Sequence, residues 1–385
     1  MRAPNPAHVI LSGATEPKGL VCPNRSTFAP WGSFAALRMT LCVIVATLAC
    51  NSGDFDPVSK LTSVRVLATI ADKPFAKPGD TVNVEALAVD ARADRTLAMH
   101  VYWLPWVCNN PRADLYYACF AQLGSQLAQL GELKRKGLPL PPDTPPGLVC
   151  LGIAALGQTK DVTACLQEGS KFTIPVPANA VTSHPIVQGA PAPYGLSIGF
   201  YIACTGGVRL LPIDPANVSG QTLPLGCFDE TGNQLGPDDY VFGFNRVYAY
   251  DDITNANPVI ERVTFDGKPV VLSQGVVVPR CTSKTESDCE HAVNVEVPDS
   301  SWELVLGNSD SDTATRHEEI WAAYFHTIDK TKSPSRILFD PSSGRVDGSA
   351  NRFIAPSVAG NGEVWIVVHD NRDGAAWTSF PVYVQ

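Results

Sequence analysis

No stretch of the 385 residues holds the about 20 consecutive apolar residues that a membrane-spanning helix needs. Charge is sparse. Only 17% of residues are Asp, Glu, Lys or Arg, and 38 acids against 29 bases leave a net charge of -9. The first 49 residues hold Arg2, Lys18, Arg25 and Arg38 against Glu16, so the part from Cys50 onward is near -12. That acidity excludes nucleic-acid binding through a basic face. No CxxC occurs, which removes the common zinc spacing, and HExxH fails because position 321 after His317 and Glu318 is Trp. What the chain has in plenty is turn chemistry: 32 Pro and 30 Gly beside 45% hydrophobic residues describe many short strands around a core.

An uncharged apolar run, Leu41 to Cys50 (LCVIVATLAC), spans about 15 Å as helix, half a bilayer core, and reads as the hydrophobic part of an export signal. It resembles a bacterial lipoprotein signal, which is cut before a cysteine that then carries diacylglycerol. Ala49 and Cys50 match the lipobox, while Leu48 sits one place late and Thr47 occupies the usual Leu position. The resemblance implies lipidation at Cys50, membrane association through the anchor, and, with Asn51 next, the outer membrane. Ordinary cleavage after the small pair Thr47 and Ala49, giving a secreted protein, is the other reading. Residues 1–38 fit no export signal. VILSGATEPKGL with GSFAALRMT resembles the translation of a dispersed bacterial genomic repeat, and translation is expected to start near Met39. The segments that follow are a signal at 39–50 and a tether at 51–60.

From there two halves are expected: 61–254, with insertions at 108–170 and 205–239, and 255–385. In the first, Val64, Val66, Ala68 and Ile70 alternate, Pro78-Gly79-Asp80 makes a turn, Val82, Val84, Ala86 and Ala88 alternate again, and Met99–Trp106 carries Trp103. Leu123, Leu127, Leu130 and Leu133 predict a helix over 115–136, and GLPLPPDTPPG after it predicts an extended run. Further strands are expected at 171–177, 194–204 and 240–250. In the second half strands are expected at 259–265, 292–297, 319–328 with Trp321, 363–369 and 377–384, the last two joined by the turn at 371–374. The opening order of edge strand, PGDTV turn, long strand and Trp-bearing strand resembles the first three strands of bacterial immunoglobulin-like domains. That implies a mainly β fold of two immunoglobulin-like β-sandwiches in tandem, the first with a helical, disulfide-stapled insertion. The second strand lacks the cysteine of antibody domains.

Outside the leader, the eight cysteines Cys108, Cys119, Cys150, Cys165, Cys204, Cys227, Cys281 and Cys289 are even in number and spaced in near pairs. In an exported chain they predict four sequential disulfides, each closing one loop or insertion.

Catalytic and metal signals fail on context. Gly195-Leu196-Ser197-Ile198-Gly199 matches GxSxG, but FYIAC continues a strand where a nucleophile elbow needs a helix. His317 and His326 fall on opposite faces of one expected strand. The loop Asn308–Asp312 and the pair Asp370 and Asp373 are calcium candidates that lack the full EF-hand pattern. Trp103, Trp106, Tyr116 and Tyr117 are candidates for an aromatic platform. The expectation is a non-enzymatic cell-envelope lipoprotein of binding, adhesion or structural type with no cofactor or metal. Its partner would be protein or polysaccharide. The alternative is a secreted hydrolase or carbohydrate-binding protein using Ser197 or the aromatics.

Overall fold

The computed structural model describes residues 58–385 except 143, 156, 158–160, 188–189, 191, 212–224, 306–315 and 329. The leader with Cys50 and the acidic loop Asn308–Asp312 lie outside the described residues.

The chain runs β1 (Val64–Ala71), β2 (Phe75–Ala76), β3 (Thr81–Asp90), β4 (His100–Asn109), α1 (Ala118–Arg135), α2 (Pro146–Ala155), β5 (Gln167–Glu168), β6 (Lys171–Pro175), α3 (Ala180–Ser183), β7 (Gly195–Cys204), β8 (Gly207–Leu210), β9 (Leu225–Phe228) and β10 (Tyr240–Ala249). It continues with β11 (Arg262–Phe265), β12 (Lys268–Pro269), β13 (Val276–Val278), β14 (Glu290–Glu296), β15 (Leu304–Val305), β16 (Arg316–His317), β17 (Ile320–His326), β18 (Lys330–Thr331), β19 (Ser335–Asp340), β20 (Gly344–Arg345), β21 (Asn351–Ile354), β22 (Gly360–Asp370) and β23 (Ala375–Val384).

In the first half the sheet β1-β3-β6 faces the sheet β2-β10-β7-β4-β5. The chain leaves β1, which pairs antiparallel with β3, and crosses over so that β2 pairs parallel with β10. The second half makes the same crossing, β11 on β14 and then β13 parallel on β23. Its sheets are β12-β11-β14-β21-β18 and β13-β23-β22-β17-β19-β20. Two immunoglobulin-like β-sandwiches in tandem are the result.

Alternation decides what each strand buries. In β3, Val82, Val84 and Ala86 point into the sandwich, where they meet Trp103, Phe172, Ile174 and Tyr201. In β1 the alternation breaks: a bulge between Val66 and Ala68 shifts the register, so Val66 and Ile70, expected inward, are only partly buried and Ala71 takes an inward place. All ten residues of β7 are buried. One face, with Tyr201 and Ala203, meets the sandwich interior; the other, with Leu196, Ile198, Phe200 and Ile202, meets a third layer made by α1 and α2. A strand covered on both faces reads as a continuous apolar run, which is why GLSIGFYIAC lacks polar alternation.

The helical layer corrects two expectations. α1 begins at Ala118 rather than 115, because Arg112–Asp114 form a separate 3-10 turn before it. It ends in a Schellman motif: the Gly137 N–H donates to the Lys134 carbonyl, the Leu138 N–H to Leu133, and Gly137 has φ of +67°. The run 137–147, expected extended throughout, is interrupted at its end: α2 starts at Pro146, a residue suited to the first helical position. A Cβ on Gly152 would lie 3.0 Å from the Gly131 nitrogen and the Leu127 carbonyl, so glycine permits the close crossing of α1 and α2. The insertion 205–239 also contains a hairpin, β8–β9, that alternation did not announce.

Four disulfides join consecutive cysteines: Cys108–Cys119, Cys150–Cys165, Cys204–Cys227 and Cys281–Cys289. Three fasten the insertions of the first half, each closing a loop whose cross-linking stabilises by about 3 kcal/mol.

The second core is Val263, Phe265, Val293, Val295, Tyr324, Phe339, Phe353, Ile366, Phe380 and Val382. Trp321 is not part of it. In β17 the inward positions are Ile320, Ala322, Tyr324 and His326, so the aromatic core place belongs to Tyr324, while Trp321 faces outward and stacks on His369 at 5.3 Å. The matching of Trp321 with Trp103 is therefore corrected.

The end of the expected tether is docked. His326 N–H donates to the Ser59 carbonyl at 2.9 Å and its carbonyl accepts from Leu61 N–H at 2.8 Å. Leu61, Val89 and Trp365 then form a small cluster with Leu67, Leu87 and Phe325, joining the outer faces of β1 and β3 to those of β17 and β22. The His326 side chain is fully buried, and among the described residues its ring nitrogens make no hydrogen bond of good geometry, with the Ile328 backbone the one polar group that favours the charged ring. Burial holds its pKa down at about 4, so the stability that the neutral ring contributes is present above 6.5 and lost as pH falls through 4. A His326→Leu variant is expected to gain roughly 3 kcal/mol relative to wild type between pH 7 and pH 4, read by urea unfolding at each pH. A difference that stays flat with pH refutes this.

Candidate functional site

Among the described residues five with side chains have positive φ, and three of them, Asn110 (46°), Ala113 (56°) and Asp114 (57°), fall within one loop between β4 and α1. Backbone strain of this kind costs about 1–3 kcal/mol per residue and persists only where the surroundings impose it. Here they do. Asn110 Nδ2 donates to the Ala180 carbonyl and to Ser183 Oγ, both at 2.8 Å, and its Oδ1 accepts from Leu196 N–H at 2.8 Å. Asp114 is gripped from two sides. Tyr194 Oη donates to Oδ2 at 2.5 Å, and His184 Nε2 lies 2.7 Å from Oδ1, with His184 Nδ1 2.8 Å from the Pro185 carbonyl. Burial, reinforced by the Asp114 bond, pushes the Tyr194 hydroxyl well above its ordinary pKa. Cys108–Cys119 closes the loop covalently.

Replacing Asn110 with Ala is expected to cost about 2–4 kcal/mol, from three lost hydrogen bonds plus the positive φ. Asn110→Gly removes the same bonds without the φ penalty, so it should be milder by about 1 kcal/mol. Equal losses in chemical denaturation would show that φ carries no strain.

This hub positions a surface. Tyr116 stacks on Phe244 of β10 at 4.7 Å and 21°, Tyr117 meets Tyr116 edge-on at 5.7 Å, and Tyr194 meets Tyr248 at 5.5 Å. The Arg246 guanidinium lies 5.0 Å over the Phe244 ring. Along β10, Tyr240, Phe242, Phe244 and Tyr248 all turn toward the helical layer and are only partly covered by it. Same-face neighbours on a strand stand about 6.8 Å apart, so they form a row of rings. Leu115 is 38% exposed and Ile186, two residues past His184, is 86% exposed. Beyond β2, which pairs only with Tyr248 and Ala249, no described strand pairs with the outer side of β10.

The four expected platform residues do not come together. Trp103 and Trp106 lie on opposite faces of β4: Trp103 is fully buried between Phe172 and Tyr201 in the sandwich, and Trp106 packs beneath the helices near Phe200. Only Tyr116 and Tyr117 reach the surface region. The sequence signal that marks the rest is the period-two aromatic pattern of YVFGFNRVYAY, whose meaning depends on where the helical layer stops.

Ser197 sits in mid-strand, 1% exposed, its Oγ donating to Asn109 Oδ1 at 2.7 Å. The strand runs on to Cys204, so the elbow geometry is absent there. His317 stacks on Trp302 at 3.7 Å with Nδ1 2.9 Å from the Trp302 carbonyl, far from the role of a shared ligand with His326. Asp370 organises its turn: Oδ1 accepts from Arg372 N–H and Gly374 N–H, both at 2.7 Å, and Oδ2 from Asn255 at 3.1 Å. Among the described residues no group of three or more potential metal ligands assembles.

A buried ionic cluster lies where the halves are joined. Arg372 Nη1 stands 3.3 Å from Glu303 Oε2 and 3.4 Å from Glu318 Oε2, Nη2 donates to the Thr254 carbonyl, and the guanidinium covers the Phe75 ring at 5.1 Å. Asn257 donates to the Ala71 carbonyl at 2.7 Å and accepts from Ala375 N–H at 3.0 Å. The segment 254–257 is thus held by both sandwiches. Burial, then the Asp370 carboxylate, pushes Glu318 up to about 7.

No family model matches the sequence, and no curated protein matches it. Among solved structures the chain is similar to fibronectin(III)-like modules of Clostridium thermocellum CbhA, at 10% identity over 83% of this chain and 94% of that one, with a TM-score of 0.17. It is similar to dimeric latent PorU from Porphyromonas gingivalis, at 10% identity over 85% of this chain and 24% of that one, TM-score 0.19. It is also similar to the C-terminal domain of the Streptococcus pyogenes antigen I/II-family protein AspA, at 9% identity over 84% and 99%, TM-score 0.16. At these TM-scores the likenesses carry no argument, and the fold rests on strand order alone.

Proposed function

We propose that the protein is a non-enzymatic cell-envelope lipoprotein, anchored in the outer membrane through acylated Cys50, that binds a protein or polysaccharide partner. The observation that carries the binding role is the half-buried aromatic surface of Tyr116, Tyr117 and Phe244, held rigid by the strained, disulfide-closed hub of Asn110 to Asp114. Four disulfides support an oxidising compartment. The buried, amide-bonded Ser197 supports a role without acyl transfer.

The test has two arms. Mass spectrometry of the N-terminus of protein extracted from membranes is expected to find diacylglycerol on Cys50, and an unmodified cysteine removes the anchor. A panel of immobilised polysaccharides and an esterase screen on the full chain should give no turnover. Ester cleavage lost in Ser197→Ala overturns the non-enzymatic reading.

A further inference from the structure

We infer that two copies of this chain associate through the open edge of β10, which pairs antiparallel with itself across a two-fold axis at Gly243. This goes beyond the binding role proposed above and does not depend on it. In β10 the main-chain groups point alternately toward and away from β7. Thr205 N–H donates to the Asp239 carbonyl, which fixes the phase: Val241, Gly243, Asn245 and Val247 bond to β7, and the N–H and C=O groups of Tyr240, Phe242, Phe244 and Arg246 point outward. Tyr248 continues the outward series and is met by β2, as is Tyr250, whose N–H donates to the Ala76 carbonyl. Among the described residues nothing bonds to the main-chain groups of the four positions before them. Edge strands elsewhere are kept from pairing. β6 carries Lys171 and Pro175, β1 is bulged, β13 has 3 residues and runs into Pro279, and β5, β12, β18 and β20 have 2 each. Over 240–247 β10 has neither proline, lysine nor bulge, so its edge is a template for another strand.

A second copy fits that template in one register. An axis at Gly243 sets Tyr240 opposite Arg246 of the second copy and Phe242 opposite its Phe244, so every free N–H and C=O is used and the ladder stops where β2 begins. Moving the axis to Phe242 sets Arg246 against Asp238, whose carbonyl already accepts from Val64 N–H, and moving it to Phe244 sets Tyr240 against Tyr248, which β2 already holds. The side chains agree with the main chain. Tyr240, Phe242 and Phe244 stand on the face that the helical layer covers only in part, so two Phe242–Phe244 pairs form across the axis. The Arg246 guanidinium, 5.0 Å over its own Phe244 ring, comes beside the Tyr240 ring of the second copy. No like charges face each other, and Asp114 and Asp373 act on Tyr194 and Tyr248, beyond the paired stretch.

The experiment measures sedimentation equilibrium of the full chain over a wide concentration range, and wild type is expected to pass from monomer to dimer. Arg246→Pro removes an N–H that bonds to nothing within the chain and should weaken the dimer by about tenfold or more. Arg246→Ala keeps that N–H and should weaken it only severalfold. The register is read by charge: Tyr240→Arg meets Arg246 of the second copy at two symmetric places and should associate about tenfold more weakly than Tyr240→Glu. In an Arg246→Ala background that difference should vanish. If Arg246→Pro lowers the folded fraction, the charge series alone decides. A chain that stays monomeric throughout overturns the inference, as does a dimer of folded Arg246→Pro as tight as wild type, or a charge series without a difference, the result expected of association through the leader. None of these outcomes bears on the binding role, whose own tests are those given above.

Discussion

Trp103→Ala is expected to lower the unfolding free energy by about 3–5 kcal/mol, while Trp321→Ala costs about 1 kcal/mol or less. Trp103 is fully buried, stacked on Phe172 at 5.2 Å and edge-on to Tyr201 at 5.0 Å, and its Nε1 donates to the Gly169 carbonyl at 3.1 Å. Its removal opens a cavity bordered by both sheets and orphans a carbonyl. Trp321 faces outward, so its loss opens none. In the second half the large effect moves to Tyr324→Ala, since that ring fills the core. Urea melts of the three variants check the ranking, and a Trp321 loss as large as that of Trp103 would mean that the inward face of β17 has been misassigned.

Arg372→Ala is expected to cost about 3–5 kcal/mol at pH 8, because Glu318 stays buried and charged without its cation. The cost should fall to roughly 1–2 kcal/mol at pH 5, where Glu318 is protonated. The sign follows from the raised pKa of about 7: the folded state holds a proton that the unfolded chain, titrating at 4.5, releases. The stabilisation is therefore complete below 4.5 and is lost as pH rises through 7. Glu318→Gln cannot lose that proton, so it should exceed wild type by about 1–3 kcal/mol at pH 8 and match it at pH 4.5. Adding Glu318→Gln to Arg372→Ala should recover most of the loss. A double variant no better than the single would show that Arg372 acts through its contacts with Phe75 and Thr254 instead.

Much of the fold was readable in the residues, for local reasons. β3 alternates cleanly over Thr81–Ala86 because its outer face meets solvent there, and the near pairs of cysteines lie within loops short enough to close on themselves. What escaped depends on neighbours remote in sequence. The bulge in β1 is set by pairing with β3, and nothing in VRVLATIA marks it. α2 was hidden by the prolines that precede it, although Pro146 is the residue that starts it. In IWAAYFH the choice between Trp321 and Tyr324 for the core is one of parity, and parity is fixed only by pairing with β22. For the site, Tyr116 and Tyr117 were visible as part of an aromatic cluster near the first insertion. Phe244 and Arg246 join them only through packing with a strand about 130 residues away.

The consecutive order of the four sulfur bridges has a consequence for how the molecule is made. A ribosome releases the N-terminal cysteine of each pair 8 to 23 residues ahead of its mate, and no other cysteine falls between them. An oxidase that joins thiols in order of appearance therefore reaches the native connectivity without shuffling, and maturation should proceed unimpaired in cells that lack a disulfide isomerase.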